Sequence, residues 1–298
     1  MKKVINFSVF RVFLTILVAL CSLLISAHLN IILALTLILT VGLLHGSNDL
    51  LIIKKVAKLE YANRWVFITA LTAYLLSIGG ILLAFYANRA YALLFFVLIS
   101  AYHFGQQHVA ANWDRSAAPR ILAYITYGLG IFGMIFASHA DTSAQVISAI
   151  AAYEATAFQF TALALISMAA FFVVSFFNPR LTLKDHFVEG ALLLVLLGVF
   201  LITDLSLSFA LYFTFWHALP SLKDQIHLLY REPFLIGLKR YVRASFFYWA
   251  ISALSFVVLF MVLDVQNLQV IELLVYFLAA ITFPHVMIMS RMESLLES

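Results

Sequence analysis

The sequence predicts an all-α fold: a polytopic integral membrane helix bundle of about ten transmembrane helices, with both termini cytoplasmic. Three observations lead there. Only 11% of the residues are charged and 64% are hydrophobic, where a soluble domain carries about 25% charged residues. The apolar residues fall in continuous runs close to the roughly 17–25 that a helix needs to cross a bilayer. The period-two alternation of a membrane barrel is missing, so the spans read as helices.

Taken in order, the runs lie near 7–27, 29–44, 65–86, 91–104, 121–138, 158–177, 190–203, 205–219, 245–263 and 270–289. The first follows Lys2 and Lys3 and ends in Ile25-Ser26-Ala27, in the manner of a secretory signal. Ile25 suits a cleavage site badly, and Leu20 before Cys21 makes a poor lipoprotein signal, so this span is expected to be retained. The second, fourth, seventh and eighth runs are near the minimum length, which draws their polar ends into the membrane profile. The longest polar connection, between the eighth and ninth, is expected along the cytoplasmic surface. One cysteine excludes an intramolecular disulfide framework. No repeat, low-complexity tract or linker divides residues 1–298, which read as a single transmembrane domain.

The basic residues orient the bundle. If ten spans alternate, Lys2, Lys3, Arg11, Lys54, Lys55, Lys58, Arg64, Arg115, Arg120, Arg180, Lys184, Lys223, Arg231, Lys239, Arg240, Arg243 and Arg291 share one side, and Arg89 alone takes the other. That is 17 of the 18. Asp141, Glu154, Asp204 and Asp264 fall on the side poor in Lys and Arg. The positive-inside rule makes the basic side cytoplasmic. The net charge of +4 therefore reports orientation in a cell (inner) membrane and gives no reason to expect nucleic acid as a partner.

Four even-numbered spans end in a histidine: His45 in VGLLHGSND, His103 in SAYHFGQQH, His217 in YFTFWHALPS and His285 in ITFPHVMIM. Even-numbered spans all run inward, so the four imidazoles are expected at one depth, towards the cytoplasm. Helix ends at one depth can converge in a bundle core and share a metal. A lone buried histidine is more often structural, but four at one level favour a common site. Imidazole suits iron, zinc and copper. His28 and His139 are expected on the outer side, and His186 and His227 in polar loops. His108 lies five residues after His103, about 140° round a helix, and could join only if the helix unwinds, for which Gly105 is placed. Asp49, one turn past His45, is the first choice to hold a ligating imidazole from behind, with Gln106, Gln107, Tyr102 and Asp224 as others. Pro220 and Pro284, near His217 and His285, could bend their helices at the site.

These segments resemble the Brp/Blh family of membrane carotenoid-cleaving dioxygenases. The family pattern appears as His45-Gly46-Ser47-Asn48-Asp49, His103-Phe104-Gly105, Trp216-His217 and Pro284-His285. The resemblance runs from the second span onward. It implies a non-haem Fe(II) centre held by histidines, and cleavage of the central double bond of β-carotene, or a related carotenoid, by O2 to give retinal. A functional link to a rhodopsin that uses retinal follows from the product. Two positions depart from the pattern. Ser221 stands where the family has a second histidine four residues after the first, and His108 stands where it often has an acid. On this reading His45, His103 and His217 are ligands and His285 is the fourth, with His108 as its substitute. A membrane transporter or metal-ion carrier could use the same histidines. A di-iron membrane desaturase or hydroxylase would need HxxxH and HxxHH clusters, which the chain does not contain.

Overall fold

The computed structural model describes residues 2–56, 64–113, 119–265 and 268–296. Lys58 and Arg115, used above for orientation, lie outside them. The described residues form helices and no strand. In chain order these are α1 (Lys2–Ser22), α2 (Ala27–Leu37), α3 (Leu43–Gly46), α4 (Asp49–Val56), α5 (Arg64–Ala87), α6 (Arg89–Val109) and α7 (Arg120–Ser138). They continue with α8 (Ala140–Ala151), α9 (Ala157–Ser175), α10 (Leu183–Ile202), α11 (Leu205–Leu211), α12 (Leu219–Tyr230), α13 (Phe234–Val262) and α14 (Leu268–Leu296). Two π-helical segments, Ile38–Gly42 and Tyr212–Ala218, join α2 to α3 and α11 to α12.

Among the described residues, seven stretches are long and apolar enough to cross a membrane: Ala27–Ile53, Phe67–Ala87, Arg120–Ser138, Ala157–Ser175, Leu183–Ile202, Phe234–Val262 and Gln269–Ser290. Three of the ten expected runs are not among them. The apolar part of α1, Phe7–Ser22, is shorter. Helix α6 begins at Arg89 and ends in the polar sequence around Gln106, Gln107 and His108. The eighth run is broken by a π segment before the polar α12. Several helices outrun their apolar core: α10 starts at Leu183 and α13 at Phe234, well before the expected 190 and 245. Thr182 explains the first of these. Its hydroxyl accepts from the Asp185 backbone N–H while the Asp185 carboxylate accepts from the Thr182 N–H, a reciprocal cap that starts the helix in polar sequence. Thr156 and Gln159 cap α9 in the same way.

The chain folds as two compact units. The first comprises Met1–Ile38, Ser100–Ser148 and Tyr153–Ala218. Its core is α7, whose face Gly128, Gly130, Ile131 and Gly133 is buried. A Cβ on Gly133 would meet the Ala164 backbone, so α7 and α9 touch main chain to main chain. Without a hydrophobic drive between helices in lipid, such small-residue contacts are a principal source of cohesion.

The second unit comprises Leu39–Ile99, Ala149–Ala152 and Leu219–Ser298. Here α14 packs on α5 and α4, and α12 on α13. The expected surface connection is only partly that. Helix α12 has a polar face, but Leu222 and Ile226 pack with Tyr241 of α13, and Ser221 and Gln225 are fully buried.

Candidate metal centre

In the first unit, His103 comes from α6 and His217 from the π segment after α11. Their rings sit 4.6 Å apart, edge to face. Phe104 lies 4.6 Å from the His217 ring and Phe213 stacks nearly parallel to it at 5.7 Å. Both histidines are buried, so this pair lies in a dry, aromatic setting. Helix α6 reaches it through a close approach to α7. A Cβ on Gly105 would land on the Tyr124 carbonyl oxygen, and one on Gly128 on the Ala101 carbonyl oxygen. Gly105 therefore serves backbone contact. The helix does not unwind there but continues to Val109.

His108 consequently points elsewhere. It pairs with Glu189 of α10 at 2.9 Å and stacks flat on Tyr127, centroids 4.3 Å apart. Glu189 is a residue that sequence reasoning did not single out. At the head of an apolar run it reads as an interfacial charge, and its partner is 81 residues away.

In the second unit, His45 and His285 form a like pair, with ring centroids 4.8 Å apart and planes at 86°. Both are buried. His45 Nδ1–H donates to the carbonyl of Gly42, the last residue of the first π segment. His285 Nδ1–H donates to Asp49 Oδ1 at 2.8 Å, and the Tyr74 hydroxyl donates to Asp49 Oδ2 at 3.2 Å. Asp49 thus accepts from an imidazole. The imidazole is that of His285, across the unit, because His45 takes a carbonyl of its own turn. Gly46 adjoins the same ring; a Cβ there would lie 3.6 Å from His285 Nδ1, an ordinary contact. Tyr241 secures this corner, its one hydroxyl hydrogen shared between Gln225 Oε1 at 2.6 Å and the His45 carbonyl at 2.9 Å. Gln225 in turn donates to Ser221 Oγ at 3.1 Å. Pro284 sits inside α14, next to His285.

The remaining histidines have other surroundings. His139, just past α7, pairs with Ser208 Oγ at 2.9 Å, and burial lowers its pKa below the usual histidine value. His186 stacks on Phe176 at 4.4 Å.

The donor chemistry fits a metal. A histidine whose Nδ1–H is held by a carboxylate or carbonyl presents the Nε2 lone pair, the usual ligand form. His45 and His285 both have that arrangement. Each unit thus carries a pair of buried histidines of a kind that can serve as metal ligands. Helices of membrane-crossing length and an imidazole donor set define the class, a helical membrane protein with a candidate metal centre.

The profile of the beta-carotene 15,15'-dioxygenase family matches residues 36–293. The chain belongs to that family of oxygenase enzymes. No curated protein and no solved structure matches it. The family match begins inside α2, so all of α1 lies ahead of it.

Proposed function

We propose that the protein cleaves the central 15,15' double bond of β-carotene with O2 to give two molecules of all-trans-retinal. Family membership carries this reading. His45, His103, His217 and His285 are assigned as ligands of one Fe(II), with Asp49 holding His285. Iron in that set would supply the activation of O2. The protein's part is to hold the imidazoles in the ligating form, exclude water through Phe104 and Phe213, and orient the polyene. His285 takes the place of the histidine that Ser221 replaces; the bond from Gln225 to Ser221 and the Asp49–His285 pair favour that choice. The pairing of His108 with Glu189 argues against its serving as the substitute.

On this reading all ten runs belong to the membrane domain and both termini are cytoplasmic. The site then lies towards the cytoplasmic side of the inner membrane. A wholly apolar substrate enters sideways from the bilayer, and the product can supply a retinal-using rhodopsin.

The test is expression in bacteria that accumulate β-carotene. The expected result is loss of orange colour with all-trans-retinal in the extract. His45→Ala, His103→Ala, His217→Ala and His285→Ala should each keep the colour and lower the bound iron. Colour that persists in a well-expressed, iron-supplied culture of the unaltered protein would overturn the assignment.

A further inference from the structure

Helix α1 lies wholly outside the family-matched region, yet it contributes polar groups to the interior of the first unit. Thr15 is fully buried. Its hydroxyl donates to the Arg11 carbonyl at 2.8 Å and accepts the indole N–H of Trp216 at 3.0 Å. The Arg11 guanidinium lies over the same indole, 5.1 Å from the ring centre. Trp216 is the residue before His217, in the middle of the π segment. Arg11 also lies within electrostatic reach of Glu189, Tyr127 and Tyr212. Glu189 pairs with His108, which sits on α6 beyond His103.

A cation in a membrane helix is costly and normally faces the bundle interior, where it has work to do. Here it lies against the indole of the π segment that bears His217. A π turn is also a wide, low-stability geometry that recurs at functional sites, and this one is pinned from outside by an indole whose N–H has a fixed acceptor.

We propose that α1 is a working part of the metal centre. Arg11 and Thr15, acting through Trp216, set the angle at which His217 is presented. Both are positioning residues, since neither touches the ion. The inference rests on the ligand assignment made above, and it requires that α1 be retained in the working protein.

The experiment is anaerobic Fe(II) titration of the purified full chain in detergent, with the electron paramagnetic resonance spectrum of its nitric oxide adduct as a second readout. Arg11→Ala and Thr15→Val should each weaken Fe(II) binding about 10-fold or more, the usual effect of removing a group that orients a ligand, and should change the spectrum. Arg11→Lys, which keeps the charge but loses the flat face over the indole, should fall between Arg11→Ala and the unaltered protein. Phe13→Ala, on the exposed side of α1, should match the unaltered protein in both readouts. Thr15→Val removes no charge, so it carries the test if Arg11→Ala does not accumulate. Unaltered protein that binds Fe(II), with Thr15→Val equal to it in affinity and spectrum, overturns this inference alone. Unaltered protein that binds no Fe(II) removes the ligand assignment and this inference with it.

Discussion

Both carboxylate oxygens of Asp49 are engaged, one by His285 and one by Tyr74. A carboxylate so fixed holds the imidazole in one tautomer and raises its basicity as a ligand. Asp49→Asn keeps the shape and loses the charge. It is expected to weaken Fe(II) binding by about 10–100-fold, read by titration, with Tyr74→Phe giving a smaller loss in the same direction. That Asp49 would stand behind a histidine was legible, because HGxxD places an acid near a candidate ligand. Which histidine was not legible, because sequence proximity favours His45 and the actual partner is 236 residues away. Glu189 was hidden for the same reason. One acid at the head of an apolar run carries no local sign of a buried partner.

Helix α6 owes its position to Gly105 and helix α7 owes its own to Gly128, each seated on a carbonyl of the other helix. Backbone cannot give way as a side chain can. Gly105→Ala is expected to destabilise by about 3 kcal/mol, the upper range for overpacking, and to reduce metal binding as His103 is displaced. Gly198, with nothing within 4 Å of its added Cβ, is the contrast. Gly198→Ala should be neutral or stabilising by up to about 1 kcal/mol, both variants being compared by thermal unfolding in detergent. The helices themselves were legible from their apolar runs. The π segments were not, since a turn with one extra residue leaves no mark in hydropathy. Gly105 could be assigned only with the facing helix in view: a glycine after a histidine suits unwinding and close packing equally until then.

The membrane class was legible from composition alone, and seven stretches bear it out. The count is harder to read because α1, α6 and the broken α11–α12 run give up apolar length to polar groups such as Arg11, His108 and Gln225. Even-spanned topology with both ends inside can be checked with C-terminal fusions. A green fluorescent protein fused after Ser298 should fluoresce and an alkaline phosphatase there should stay inactive; the reverse pattern would place that end outside the cytoplasm and overturn the proposed orientation.

The seven-residue π segment before α12 also bears on how such a chain can be lost. Restoring ordinary helical pitch takes the removal of a single residue, and that would swing His217 by about 100° about its axis. Loss of the Thr214 codon would remove no large buried apolar side chain and would spare both flanking helices. The gene thus lies one small deletion away from a product that still inserts in the membrane but no longer aims its imidazole.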